Sequence, residues 1–280
     1  VPTVVEVLRK SQAFLEGKGS PSARLDAELL VADALGLERL EVYLQFDKPL
    51  TPDELTALRE HVRRRGQREP IATILGEWEF WSLPFRVRPG VLVPRPDTET
   101  LVEAALELVP EGECFVADIG AGTGCVGLSV AKERPEVKLY ATDLDPVALG
   151  LVKENAAALD LADRVAVLQG NLLDPIPADR PIDVVLSNPP YIPTGEIEKL
   201  PPEISQHEPR SALDGGADGL DVYRQLLPAA AARARIGVAV EVGIHQAEAV
   251  VDLMQQAGLT NIGTRADLAG IDRVVIGKVG

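Results

Sequence analysis

From Pro96 to the end of the chain, short apolar runs alternate with stretches of helical periodicity. The pattern predicts helices over 97–109, 124–133, 146–158, 219–234 and 245–257. It predicts strands over 114–119, 137–142, 164–169, 182–187, 236–242, 259–264 and 272–277. Strands separated by helices cannot pair as hairpins, so most of them must run parallel, with helices covering both faces. The expectation is an α/β fold with a doubly wound, mostly parallel seven-stranded sheet. Ligands of such sheets sit at the carboxyl ends of the strands, and the motifs described below fall at those ends.

The first 75 residues read differently. Val4, Leu8, Ser11 and Leu15 recur at helical spacing until Gly17 and Gly19 interrupt them. Ser20-Pro21 offers a start for a second helix and Gly36 its end. Thr51-Pro52-Asp53-Glu54 is a capping box, starting a helix that runs to about Gly66. These residues predict a small all-helical domain over 1–75. Between it and the sheet domain, 96–280, lies a stretch rich in aromatic and β-branched residues cut by turn formers. Residues 76–95 therefore read as a β-hairpin linker, with Trp78, Phe80, Trp81 and Phe85 expected to pack between the domains. The basic run Arg63-Arg64-Arg65, with Arg68, closes a predicted helix and reads as a solvated face that complements the helix dipole.

Charge and cysteine usage exclude some classes. The net charge is −15, with 11 basic and 12 acidic residues in 1–75 against 17 and 31 in the remainder. A sheet domain this acidic is poorly suited to gripping a polyanion, although a few arginines suffice for a local contact. Cys114 and Cys125, with three scattered histidines, suggest neither a disulfide framework nor a metal site; both read as small buried side chains. No apolar run approaches the ~20 residues that span a bilayer, and no signal pattern opens the chain, so a cytoplasmic protein without a membrane partner is expected.

Asp118-Ile119-Gly120-Ala121-Gly122-Thr123-Gly124 closes the first strand of the sheet domain and opens a helix. Glycines there permit a sharp turn and close approach to a ligand. Gly122 to Gly127 also fits the dinucleotide fingerprint, so a hydride-transfer enzyme competes with a methyltransferase at this point. Asp143 ends the next strand, where a carboxylate can accept two ribose hydroxyls. Asp118 tilts the balance, since an acid beside the glycines suits the ammonium group of an amino-acid ligand and repels a pyrophosphate. The stretch resembles motif I of the class I methyltransferases, which use S-adenosyl-L-methionine and release S-adenosyl-L-homocysteine.

Ser187-Asn188-Pro189-Pro190-Tyr191 follows the fourth strand. Neither proline can donate to a ladder, so the strand must stop in a stiff loop that offers acceptors. The Asn188 side-chain oxygen and the Pro189 carbonyl could each take one hydrogen of a planar NH₂ group while Tyr191 stacks on its plane. Such a loop fixes a nitrogen and favours positive charge developing on it, without a strong base. The tetrapeptide resembles that of N-methyltransferases acting on adenine, guanine or glutamine.

Three more stretches narrow the resemblance: Glu69-Pro70-Ile71 with Leu75-Gly76; Glu79-Phe80-Trp81 through Leu92-Val93-Pro94-Arg95-Pro96-Asp97-Thr98-Glu99; and His207-Glu208-Pro209-Arg210 with Ala212 to Leu220. Over nearly its whole length the chain resembles the release-factor glutamine methyltransferase family. That resemblance implies a class I methyltransferase fold and methylation of the glutamine in the Gly-Gly-Gln motif of peptide chain release factors. It implies a cofactor set of Asp118, Gly120, Ala121, Gly122, Thr123, Gly124, Asp143 and Asn188, with Asn171 and Leu172 on the adenine side. Many relatives carry an acid where Asn171 stands and some an aromatic where Leu172 stands. The glutamine would meet Asn188, Pro189, Pro190 and Tyr191, with Asn188, Pro189 and Tyr191 catalytic. The helical domain would recognise the release factor, with no nucleic acid required. Methylation of an amino group in DNA or RNA, methylation of a ribosomal-protein glutamine, and a binding module without activity stay open as alternatives.

Overall fold

The computed structural model describes residues 1–280, which divide into two compact units. The first comprises Val1–Glu77 together with Pro201–His207; the second comprises Trp78–Leu200 and Glu208–Gly280.

The helical unit is built from α1 (Val4–Gly17), α2 (Ala23–Leu35), α3 (Arg39–Leu44), α4 (Pro52–Gly66) and α5 (Ile71–Leu75). Val4, Leu8, Leu15, Leu30 and Val31 form its core with Val42, Leu58 and Ile74. The Thr51 capping box forms as the sequence demands: Thr51 Oγ1 accepts from Glu54 N at 3.2 Å, and Glu54 Oε2 accepts from Thr51 N at 2.7 Å. Gly36 ends α2 in the left-handed conformation, at φ +64°.

Two expectations fail here. The second helix starts at Ala23 rather than after Ser20, because the Ser20 and Ser22 hydroxyls donate to Asp26, at 2.5 and 3.0 Å, and leave the helix N–H groups alone. The basic run is a solvated face only at Arg63. Arg65 is only 4% exposed and donates to Asp26 at 2.7 Å and to Glu203 at 3.0 Å. Arg64 pairs with Glu69, Arg63 with Glu60, and Arg68 grips both oxygens of Glu203 at 2.7 Å. A buried guanidinium has to find carboxylates. Two of these cations find Glu203, which explains why a segment from far along the chain belongs to this unit. His207 adds a contact to the Gln67 carbonyl at 3.0 Å.

The second unit begins with a hairpin, β1 (Glu77–Phe80) and β2 (Leu83–Arg86), turned by Trp81 and Ser82, both at φ +54°. Positive φ at both central residues is the signature of the two-residue turn that matches strand twist. Phe80 and Phe85 meet edge to face inside the core of this same unit, against Leu101 and Leu128. Phe80 and Phe85, with Trp81 packed against them, therefore belong to this core, where interdomain packing was expected.

The chain continues through α6 (Glu99–Leu108), β3 (Cys114–Ile119), α7 (Cys125–Glu133), β4 (Val137–Asp143), α8 (Pro146–Ala158), β5 (Val165–Gln169) and β6 (Ile182–Ser187). After the short α9 (Pro202–Ser205) in the helical unit come α10 (Asp221–Arg233), β7 (Ala234–Glu241), α11 (Ala247–Gln256), β8 (Thr260–Ala266) and β9 (Asp272–Lys278). The seven strands lie in the order β5-β4-β3-β6-β7-β9-β8, with β9 antiparallel to both neighbours and the rest parallel. The expected doubly wound, mostly parallel sheet is what forms. Its order reverses between β3 and β6, which pair with Ile119 beside Ser187. That switch point is where such a sheet opens a crevice.

Candidate active site

At the switch point lies a cavity of about 300 Å³. A larger hollow of about 580 Å³ on the helical unit is shallow, and its charges satisfy one another: Glu28 pairs with Arg24 and Arg39 and accepts from Tyr43. The switch-point cavity is the better candidate, because its polar groups face it with acceptor capacity to spare.

The glycine loop forms one wall. Gly120, Ala121, Gly122 and Thr123 line the cavity, as does Asp118. The Gly120 and Ala121 N–H groups donate to the Thr142 carbonyl at 2.9 Å, which hooks the loop to the end of β4. Gly120, Gly122 and Gly124 have φ of +69°, +58° and +81°, a region closed to most side chains. Gly124 does not reach the cavity; it caps α7, and a Cβ there would stand 2.9 Å from Leu128 Cδ1. Its part is architectural. Asn155, fully buried, ties the Thr123 carbonyl (2.9 Å) to the backbone of Arg86 (2.8 and 3.2 Å), fastening the loop to the hairpin.

Asp118 and Asp143 take different places. Asp118 is 2% exposed, and one oxygen accepts the Gly127 N–H at 2.9 Å. Burial pushes its carboxyl up to about 7, against the pull of that hydrogen bond. Half of this residue thus serves the start of α7. Asp143, at the tip of β4, accepts from Gly122 N and from Asp145 N, both at 2.9 Å. A carboxylate has about four lone-pair positions, so two remain on Asp143 for hydroxyl donors. Asn171 and Leu172 complete this end; Leu172 sits at φ +46°, its carbonyl held by the Thr142 hydroxyl at 2.9 Å. Cys125, whose thiol burial pushes up to about 12, faces the same space.

The opposite wall is Asn188, Pro189 and Pro190, directly after β6. Asn188 Nδ2 donates to the Thr98 hydroxyl at 3.3 Å, which leaves the side-chain oxygen as the uncommitted end of an amide that lines the cavity. Tyr191, expected to stack over a substrate, does not line the cavity. Its hydroxyl points to Glu241 at 3.4 Å, and its carbonyl accepts from Gln246 Nε2 at 2.8 Å. Gly219 packs so tightly on that carbonyl that no Cβ fits. Tyr191 therefore braces the loop from behind.

Several lining residues escaped the sequence reading. Gly90 to Arg95 and Thr98 form one edge, and Pro209, Ser211, Ala212 and Asp214 another. Arg95 pairs with buried Glu208 at 2.5 Å, whose carboxyl burial pushes upward. The Pro94-to-Thr98 and Glu208-Pro209 runs were visible as motifs; their position at the cavity was not.

Residues 6–76 match the family model described as the PrmC N-terminal domain, and residues 97–204 match the methyltransferase small domain. A release factor glutamine methyltransferase of Geobacter sulfurreducens is 45% identical over 99% of this chain and 97% of its own length. One from Caulobacter vibrioides is 40% identical over 98% and 96%. The chain belongs to the release factor glutamine methyltransferase family. It is accordingly a methyltransferase, with the class I fold expected from its sequence. Among solved structures, a methyltransferase from Pyrococcus furiosus matches with a TM-score of 0.52 at 18% identity, covering 71% of this chain and 89% of that one. The T. thermophilus 16S rRNA N2 G1207 methyltransferase, solved with AdoMet and guanosine, matches with a TM-score of 0.53 at 20% identity, covering 73% and 50%. These two likenesses concern the fold alone.

Proposed function

We propose that this enzyme transfers a methyl group from S-adenosylmethionine to the side-chain amide nitrogen of the glutamine in the Gly-Gly-Gln motif of peptide chain release factors. The observation that carries the reading is that the glycine loop, Asp143 and the Asn-Pro-Pro turn, separate in sequence, line one cavity. Family membership supports the choice of substrate.

The residues present fit the methyl donor. Asp143 keeps acceptor capacity for ribose hydroxyls, Asn171 and Leu172 flank the adenine side, and the backbone of Gly120 to Gly122 needs no side-chain room. Asp118, with one oxygen uncommitted to Gly127, suits an amino-acid ammonium. When bound, S-adenosylmethionine supplies an electrophilic methyl group on a sulfonium. The chain's own task is to present the nucleophile. An amide nitrogen is poor because its lone pair is delocalised into the carbonyl. The Asn188 Oδ1 and the Pro189 carbonyl are two acceptors for its hydrogens, and they strengthen their hold as charge builds on nitrogen. The stiff Pro-Pro turn keeps both at fixed positions. The helical unit, free of any such groups, would recognise the release factor, and translation termination in the cytoplasm would be the setting.

The test is to incubate the protein with methyl-labelled S-adenosylmethionine and, separately, with a release factor, DNA and RNA. Label on the glutamine of the release factor is expected. Label on nucleic acid alone would overturn the substrate and favour an amino-group methyltransferase of bases.

A further inference from the structure

The Asn-Pro-Pro turn needs more than acceptors; it needs them pointing the right way. A carboxamide offers an oxygen on one side and an NH₂ on the other, and its two orientations fit nearly the same space. Only the orientation with Oδ1 toward the cavity can accept a hydrogen from a glutamine amide. In the structure that orientation goes with Asn188 Nδ2 donating to Thr98 Oγ1 at 3.3 Å. Thr98 is 2% exposed, and once its oxygen accepts, its own proton requires an acceptor.

The group beside it is Glu241, at the end of β7 and 2% exposed. The Thr98 hydroxyl helps to stabilise this carboxylate. One Glu241 oxygen receives the Tyr191 hydroxyl at 3.4 Å, while Oε2 has no hydrogen-bond partner. The Tyr223 hydroxyl donates to the Glu241 backbone carbonyl at 2.7 Å, fixing the residue from below. Thr98, which already accepts from Asn188, needs an acceptor for its own proton, and Glu241, whose Oε2 lacks any other donor, is the carboxylate that its hydroxyl stabilises.

We infer that Glu241 is a positioning residue: as a carboxylate it takes the proton of Thr98, obliges Thr98 to accept from Asn188 Nδ2, and so turns Asn188 Oδ1 toward the substrate. A carboxylate is acceptor-only, so it permits a single direction of donation along Glu241, Thr98 and Asn188. Protonated, Glu241 can donate to Thr98 instead. Thr98 can then donate to Asn188 Oδ1, and the amide presents NH₂ to the cavity. The same carboxylate orients Tyr191, so both ends of the Asn-Pro-Pro-Tyr turn answer to one group.

This inference rests on the reading that Asn188 holds the glutamine amide, and the experiment separates the two. Single-turnover methyl transfer to a release factor is measured from pH 6 to 9 for the parent, N188A, T98V, T98S, E241Q and T98V/E241Q. Cofactor affinity is followed alongside, as is calorimetric binding of a Gly-Gly-Gln peptide in the presence of S-adenosylhomocysteine. T98V should slow transfer and weaken peptide binding by roughly 10-fold, the scale of one lost polar contact, with cofactor affinity unchanged. T98S, which keeps the hydroxyl, should recover to within about 3-fold. The parent rate should rise through neutrality as Glu241 ionises, among Tyr191, Tyr223, Arg273, Asp97, Cys125 and Thr98. E241Q should be slower and lose that rise, and the double variant should be no slower than T98V, because both changes break one chain of bonds. A slow N188A with normal rates in T98V and E241Q, or additive losses in the double variant, would overturn the inference and spare the reading of Asn188. A normal N188A would overturn both. Should E241Q not fold, the pH profile of T98V decides: it should lose the rise through neutrality, and a retained rise would overturn the inference.

Discussion

The Ser187 hydroxyl donates to the Ile119 carbonyl at 2.7 Å, joining the last residues of two adjacent parallel strands. One step beyond this bond the glycine loop leaves on one side and the Asn-Pro-Pro turn on the other. The two halves of the site therefore start at the same level of the sheet, and their separation is set by strand spacing rather than by loop flexibility. A rigid origin of this kind is what orientation-driven catalysis needs.

Gly124→Ala should destabilise the protein. Its φ of +81° is strained for alanine, and the added Cβ would meet Leu128 at 2.9 Å. Unfavourable backbone of this type costs about 1–3 kcal/mol. Denaturant titration should show the loss, with weaker cofactor binding following from the displaced loop. An unchanged unfolding midpoint would show that α7 can shift without cost.

Asp143→Ala should weaken S-adenosylmethionine binding by about 1–3 kcal/mol through lost hydroxyl contacts. The same change strips acceptors from the Gly122 and Asp145 N–H groups, so the loop should also loosen. Calorimetry checks the first effect and hydrogen exchange at Gly122 the second. Undiminished affinity would remove Asp143 from the cofactor site.

Arg65→Ala should be among the most damaging changes in the helical unit. It leaves Asp26, 2% exposed, without its cation, and frees one of the two grips on Glu203. Breaking a buried pair on one side costs roughly 3–5 kcal/mol. Thermal and chemical denaturation of the whole chain measure it.

Stability should depend on pH through two carboxyls. Burial holds both Asp118 and Glu241 at about 7 in the folded chain, well above unfolded carboxyls near ~4. Between those values the native state binds more protons than the unfolded one, so this contribution to stability declines as pH rises from about 4 to about 7 and is flat above. Glu241→Gln should remove its share of the decline. Denaturation midpoints at pH 5 and pH 8, compared between parent and variant, read the difference directly.

Much of the fold was legible because each strand and helix is specified locally, by apolar runs and by caps such as Thr51 to Glu54. The glycine loop, Asp143 and Asn188 were legible for the same reason: each motif is contiguous and ends a strand. What the sequence hid depends on distance. Arg65 looks like any helix-end cation until Glu203, 138 residues on, is brought against it. Asn155 and Gln246 act on backbone groups of remote loops, which no periodicity reveals. Glu241 left one trace, a lone acid interrupting the apolar run Val238 to Val242 where a central strand ends. A charge that costs this much to bury calls for a purpose. Tyr191 misled because its motif suggested a stacking face, whereas its hydroxyl has a buried partner.

The central claim is that Asn188 presents the glutamine nitrogen, and single-turnover methyl transfer by Asn188→Ala tests it most directly. With cofactor affinity held equal to the parent's, the rate should fall by about 10²–10³-fold, the scale of losing one preorganised polar group at the reacting centre. Asn188→Asp should also be slow, since its added charge disturbs the site although it keeps an acceptor. A near-parent rate in a folded Asn188→Ala protein that still binds S-adenosylmethionine would contradict the account and leave the Asn-Pro-Pro-Tyr turn as architecture alone.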